Sequence, residues 1–209
     1  MYALVESGSI TKYFNNPKGF ILGDVQYSSD IFMKWSVEEK EAIGIHEVVY
    51  DNSNFKDEKW YINTNQSFDF ANDVVTASYG TATAKAHADS LFTAKDKTDN
   101  LIPDDKSVGD VKVKGLKTIL IRTLKSQVAN ELSITDWYIT RKAEKTTAIP
   151  SSITTHRDLV RSRQATMETQ ITNASDTLAL ETLHTYVNTG TKANPVYERP
   201  LGELPVLES

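Results

Sequence analysis

The chain has 209 residues, of which 39% are hydrophobic and 24% charged, with a formal net charge of −5. This composition predicts a globular protein with one sizeable core or two small ones and argues against disorder throughout. Cysteine is absent, which excludes disulfides, thiol nucleophiles and thiolate metal sites. No apolar run reaches the roughly 18 residues of a membrane span, and the start lacks the features of a signal peptide. We therefore expect a protein that is made and matures in a cytoplasm.

The charge is unevenly distributed along the chain. Residues 1–109 carry seventeen acids and ten bases, residues 110–172 carry six and eleven, and residues 173–209 carry five and two. A basic middle segment can be a footprint for nucleic acid. Surface lysines on helices give the same pattern, and the acidic flanks can neutralise the middle within one chain or between chains. We therefore do not expect a nucleic-acid partner.

The N-terminus predicts a β-hairpin. Two β-prone runs, Tyr2–Val5 and Ser9–Phe14, flank Gly8, whose tolerance of positive φ suits a tight turn. After a polar break, Phe20–Gln26 predicts a further extended segment. Alternating apolar and polar residues over 75–79 are typical of a half-buried strand.

One short helix interrupts this β-rich region. Ser36 and Glu39 have the spacing of a capping box, in which each side chain accepts from the backbone N–H of the other. Gly44 predicts the end of this helix, and Ile45–Tyr50 then predicts a strand. Residues 1–96 thus predict a small antiparallel β-rich unit with a short helix.

A change of period divides the chain. Residues 86–96 predict helix or turn, and residues 97–109 have the polar, turn-rich composition of a linker. From Asp110 to Leu132, apolar residues recur at helical spacing, which predicts a long amphipathic helix. The chain therefore divides into a β-rich half and a helical half.

The helical half continues after a connector. A second helix is predicted to open at Ser151 or Ser152 and a third to span 176–187. Because helices joined by short connections usually pack antiparallel, residues 110–188 predict an antiparallel helical hairpin or a three-helix unit. Residues 189–209 contain three prolines and predict an extended tail. The fold class is α+β.

Short motifs of catalytic or cofactor chemistry are absent. The chain has no paired-histidine zinc motif, phosphate-binding glycine loop, dinucleotide fingerprint or nucleophile elbow. Adjacent carboxylates occur at Glu38 and Glu39, but neighbours on a helix point in different directions. A second pair, Asp104 and Asp105, lies in a predicted turn, and His156 predicts a partly buried, hydrogen-bonded histidine. We predict no enzymatic activity, no cofactor and no metal ligands.

The most informative stretch runs from Leu132 to Arg163, where an aromatic anchor and charged residues coincide. One interpretation is a helix junction sealed by tryptophan, with arginines outside that pair with Asp136 or Glu144. The predicted junction residues are Thr135, Asp136, Trp137 and Pro150. The alternative is a partner-binding surface, because Arg, Tyr and Trp often dominate interfaces. The candidate partner-binding residues are Tyr138, Arg141, Arg157, Arg161, Arg163, Tyr197 and Arg199.

The same stretch carries a family resemblance. Leu132-x-x-Thr135-Asp136-Trp137, a proline-containing spacer and an Arg-x-x-x-Arg helix resemble the C-terminal region of tail assembly chaperone-like and tail-fibre assembly-like proteins of tailed bacteriophages. The opening Met1-Tyr-Ala-Leu-Val-Glu6 is similar to the start of many small phage tail proteins. The family commonly has tyrosine where this chain has His156.

The resemblance implies a non-enzymatic protein of the phage tail, baseplate or fibre. Its partners would be other tail, baseplate or fibre proteins within a multi-subunit assembly, and it would be made in the host cytoplasm and retained in the virion. An alternative is a transient tail or fibre assembly chaperone that is absent from the mature virion. A small enzyme or a nucleic-acid-binding module is less favoured.

Overall fold

The computed structural model describes residues 1–207, and the fold is α+β, as predicted. The chain forms two compact units that divide between Thr83 and Ala84. The first unit is rich in strands, and the second contains the long helices. Within residues 1–207, no helix combines the length and the apolar character that a membrane span requires.

The first unit is built on a five-stranded sheet. Its strands and helices, in chain order and including the strand at its end, are β1 (Tyr2–Glu6), β2 (Ser9–Phe14), β3 (Phe20–Leu22), β4 (Val25–Tyr27), α1 (Ile31–Lys34), α2 (Val37–Glu41), β5 (Ile45–Asp51), β6 (Tyr61–Ile62), β7 (Ser67–Ala71), β8 (Val74–Ser78) and β9 (Thr83–Ala84). The strand order in the sheet is β2-β1-β5-β8-β7. Only β5 and β8 pair in parallel, and the other neighbours are antiparallel. The rings of Tyr13 and Phe68, on the two outermost strands, lie 4.7 Å apart, so the sheet curls.

Local signals in this unit act as predicted. Ser7 and Gly8 both have positive φ at the turn between β1 and β2, which confirms the N-terminal hairpin. The capping box is present, since Glu39 N donates to Ser36 Oγ at 3.2 Å and Ser36 N donates to Glu39 Oε2 at 2.8 Å. Gly44 has φ +79°, and a Cβ there would lie 2.4 Å from Val5 O, so only glycine fits.

The sheet buries side chains on both faces. One face packs under the β3–β4 hairpin and α1, and its buried residues are Leu4, Phe14, Phe20, Ile31, Phe32 and Ile45. The other face holds a second cluster of Ala3, Val48, Val75 and Ala77. The strand period thus places Ile45 of β5 in one cluster and Val48 in the other.

The second unit contains the long helices. Its elements are β10 (Ser90–Leu91), α3 (Ala94–Thr98), β11 (Val111–Val113), α4 (Leu116–Ser133), α5 (Asp136–Lys145), α6 (Ser151–Asn173), α7 (Thr177–His184), β12 (Val187–Asn188) and β13 (Tyr197–Glu198). Lys117 Nζ donates to Thr172 O at 2.8 Å, while His156 Nε2 lies 3.1 Å from Glu131 Oε1. The start of α4 therefore lies beside the end of α6, and the helical hairpin is antiparallel.

The residues predicted as a linker, 97–109, lie inside this second unit. Gly109 N donates to Phe92 O at 2.8 Å, and Lys112 Nζ lies 2.5 Å from Asp96 Oδ1. Hydrogen bonds from Lys112 and Thr93 hold the pKa of Asp96 well below its usual range. The polar composition therefore belongs to an ordered loop. Because β11 pairs with β10, α4 begins at Leu116 and not at Asp110.

The C-terminal segment packs on helices of its own unit. After the β12–β13 hairpin, Leu201 is 3% exposed and its N–H donates to Leu183 O at 2.9 Å. Gln170 Nε2 donates to Pro200 O at 3.3 Å. The predicted tail, 189–209, is thus anchored along the helices by backbone contacts, and its last two residues lie outside the described part of the chain.

Candidate protein-docking site

The candidate site is built on α5, a helix of which no residue is buried. Asp136 lies in its first turn and Lys142 and Lys145 in its last, an arrangement that the helix dipole favours. Thr146 ends the helix in the left-handed conformation, with φ 54°. Because an isolated helix of this length is marginal in water, its stability depends on the junction at its start.

Three side chains of α5 form a compact cluster, here called the α5 face: Trp137, which is exposed, and Tyr138 and Arg141, which are half-buried. Trp137 is 51% exposed, and its ring centroid lies 3.8 Å from that of Tyr138. The Arg141 guanidinium carbon lies 4.7 Å from the Trp137 ring and 5.2 Å from the Tyr138 ring. Spacings of four and three residues along the helix bring Arg141 to Trp137 and to Tyr138, and the cation–π attraction holds the cluster together.

A buried arginine organises the junction at the start of α5. Arg157 is 8% exposed, and its Nη1 donates to Leu132 O at 2.8 Å, Thr135 Oγ1 at 2.6 Å and Asp136 Oδ1 at 2.9 Å. Thr135 is almost completely buried. Because a buried guanidinium is costly unless it is hydrogen-bonded, these acceptors tie α6 to the end of α4 and to the start of α5.

A second polar contact lies beside this arginine. His156 is buried, and its Nε2 lies 3.1 Å from Glu131 Oε1 on α4. The prediction of a buried, hydrogen-bonded histidine is therefore confirmed. Together His156 and Arg157 make two polar contacts between the N-terminal end of α6 and the C-terminal end of α4.

The structure reverses two roles that were assigned from the sequence. Trp137 does not seal the junction, because it projects from a helix without buried residues. Arg157 is not a surface residue, because it lies on the same side of α6 as Val160, which is fully buried. The predicted pairing with Asp136 does occur, but Arg157 makes it from a buried position. Arg161 is half-exposed and lies 3.6 Å from Asp158.

The C-terminal candidates bind their own chain. Arg163 Nη2 donates to Leu201 O at 2.7 Å, and Arg199 Nη2 donates to Glu203 Oε2 at 2.7 Å. Gly202 has φ +71°, and a Cβ there would lie 1.4 Å from Arg163 Nη2. These arginines therefore hold the C-terminal segment, whereas Tyr197 is 64% exposed on β13. Carbonyl acceptors leave no signal in the sequence, which is why these roles were missed.

The predicted site residues thus separate into five places. Tyr138 and Arg141 share the α5 face with Trp137, while Thr135 and Asp136 lie at the junction. Pro150 precedes the first turn of α6. The remaining residues are Arg157 at the junction, Arg161 on the surface of α6, and Arg163, Tyr197 and Arg199 in or beside the C-terminal segment.

Comparisons with known proteins complete the description of the site. No protein family, curated protein or solved structure was found to match this chain. Within residues 1–207, no group of three or more His, Asp or Glu side chains is placed to hold a metal ion. The α5 face is therefore described by its geometry.

Proposed function

We propose that this chain is a non-enzymatic structural component of a bacteriophage tail, baseplate or fibre, and that its α5 face docks an acidic protein surface. The observation that carries the proposal is the Trp137–Tyr138–Arg141 cluster, whose tryptophan is 51% exposed, on a helix with no buried residue. Tryptophan, tyrosine and arginine are the residue types most enriched among the dominant contacts of protein interfaces.

The chemistry of the α5 face favours a carboxylate-bearing partner. Arg141 is stacked on two rings and forms no salt bridge within residues 1–207. A stacked guanidinium is pre-organised, so less conformational entropy is lost when it binds a carboxylate through two parallel hydrogen bonds. The surrounding segment, 110–172, carries eleven bases against six acids, which favours encounter with an acidic surface.

The junction supports docking by holding the helix in place. Arg157 connects the last turn of α4 to Thr135 and Asp136, so the first turn of α5 is fixed to the helical hairpin. A helix that is already ordered before it binds loses little further conformational entropy on binding, so less of the binding free energy is offset. The Trp137 and Tyr138 rings are therefore presented on a rigid support.

The tail assignment rests on the resemblance carried by Leu132-x-x-Thr135-Asp136-Trp137. Mass spectrometry of purified virions from a phage that encodes this chain tests it, and we expect the chain among the tail proteins. If the chain is missing from virions while co-expression raises the soluble yield of a fibre protein, the transient chaperone is the correct function.

Binding experiments test the docking surface itself. We expect Trp137→Ala and Arg141→Ala each to weaken capture of neighbouring tail proteins by about 30-fold, which corresponds to an interface residue worth roughly 2 kcal/mol. Tyr197→Ala is the matched control, because it removes an exposed aromatic ring from β13, outside the α5 face. Equal capture by all three variants would exclude the α5 face as the docking surface.

A further inference from the structure

The first unit has an unpartnered surface on its sheet. The pairing of β5 with β8 and of β8 with β7 places nine side chains on one face, none of them buried. These residues, here called the open sheet face, are Glu47, Val49, Asp51, Ser67, Asp69, Ala71, Val74, Thr76 and Ser78. The face is continuous with the side of β5 that α1 and the β3–β4 hairpin cover at Ile45.

The open sheet face combines apolar and acidic groups. Val49 is 54% exposed and Val74 is 43% exposed, whereas Val48, Val75 and Ala77 point to the other side of the sheet and are buried. Three of the nine positions carry carboxylates and none carries a base. Asp51 accepts from Ser53 N at 2.9 Å, which lowers its pKa and keeps it charged.

We infer that the open sheet face binds the α5 face of a second copy of this chain, so that copies associate head to tail. The two surfaces are complementary in charge, since Glu47, Asp51 and Asp69 would meet Arg141 and the lysines of the last turn of α5. The surrounding sequence has the same difference in charge. Residues 1–83 carry twelve acids and six bases, whereas residues 110–172 carry six acids and eleven bases.

The two surfaces also agree in shape and size. A ten-residue helix is about 15 Å long, and five residues of a strand extend about 17 Å. Three adjacent strands place their outer axes roughly 10 Å apart, about the diameter of a helix. The Trp137 and Tyr138 rings would then cover Val49 and Val74, in the manner of helices that pack on sheet faces.

This arrangement joins two different surfaces, so each end of an open assembly keeps one free docking face. Such a heterologous contact closes into a ring or continues as a filament. The inference rests on the proposed function, because it names the partner of the α5 face.

Sedimentation velocity of the full chain tests the inference. We expect concentration-dependent association at low salt that weakens about tenfold or more as salt screens the facing charges. A helix-face variant, Trp137→Ala with Arg141→Ala, and a sheet-face variant, Glu47→Lys with Asp69→Lys, should each be monomeric. Mixed in equal amounts, they should form a 1:1 dimer that does not extend, because each retains the surface that the other has lost.

Three results would overturn the inference: a wild-type chain that stays monomeric throughout, a sheet-face variant that associates like wild type, or a mixture that stays monomeric. Circular dichroism melts of both variants show whether they are folded, and Tyr197→Ala should associate as wild type does. Capture of other tail proteins is measured separately. Self-association can therefore fail while the α5 face still docks a different protein.

Discussion

The junction around Arg157 ends at Asp136, and the α5 face begins at the next residue, Trp137. The two regions nevertheless differ in which side chains they bury. At the junction, a charged side chain is buried because a carbonyl, a hydroxyl and a carboxylate surround it. On the α5 face, a large aromatic ring remains exposed because no element covers it. The comparison teaches that the neighbours of a side chain decide its place, so an arginine can be buried in the fold while a tryptophan stays on the surface.

The largest expected effect is the loss of stability on removal of Arg157. Arg157→Ala removes the donor to the buried Thr135 hydroxyl and the ion pair with Asp136, and we expect a loss of roughly 2–4 kcal/mol in the free energy of unfolding. Urea denaturation of the full chain measures it. Arg157→Lys keeps the charge but lacks the planar fork, so it should fall between alanine and wild type. An unchanged urea midpoint for Arg157→Ala would show that Arg157 does not stabilise the fold.

The second effect extends the comparison to Arg163, which also donates to carbonyls of its own chain. Gly202→Ala combines a strained positive φ with a clash against Arg163 Nη2, and we expect a loss of about 1–2 kcal/mol. Limited proteolysis should show earlier cleavage of the C-terminal segment. Gly8→Ala is the matched control, because Gly8 has φ +77° and no atom within 4 Å of an added Cβ. Equal losses in both variants would show that the contact of Arg163 with the C-terminal segment does not contribute to stability.

A smaller effect is expected for folding when the exposed ring is removed. Trp137→Ala should cost about 1 kcal/mol or less, because half of the side chain is already in water and only the contacts with Tyr138 and Arg141 are lost. Thermal unfolding measures it. Met167→Ala, which empties a fully buried position on α6, should cost about 2–5 kcal/mol. A loss for Trp137→Ala as large as that for Met167→Ala would make Trp137 a core residue after all.

The smallest effect is expected at Arg161, one helical turn beyond Arg157. Arg161→Ala removes only an exposed contact with Asp158, so the free energy of unfolding should change by less than about 0.5 kcal/mol. Urea denaturation beside Arg157→Ala makes the contrast direct. Similar losses in the two variants would show that burial does not distinguish these arginines.

Local sequence patterns predicted those parts of the fold that depend on neighbouring residues. The β1–β2 hairpin, the capping box at Ser36 and the start of α6 after Pro150 are all as expected. The residues involved lie within a few positions of each other, so the chemistry of the turn or cap is visible in the sequence. The apolar stripe of α4 similarly revealed a long helix, although not its first residue.

Errors arose where a distant partner overrode a local pattern. The β10–β11 pairing shortened α4, and the polar loop 97–109 is ordered by contacts with Phe92 and Asp96. The connector that follows Thr135 forms a ten-residue helix, because its start is held by a side chain more than twenty positions away. Composition could not reveal these contacts, since a polar loop and a linker use the same residues.

For the candidate site, the sequence by itself singled out the candidate residues: Trp137, Tyr138 and Arg141 in one short stretch, and the arginines of α6. Only the tertiary structure decided what each one does. Arg157 became a folding residue because packing of α6 against α4 surrounded it with acceptors, two of which belong to the backbone or to a buried hydroxyl. Trp137 became a surface residue because burial depends on what the rest of the chain places over a helix, and nothing in the helix's own sequence encodes that.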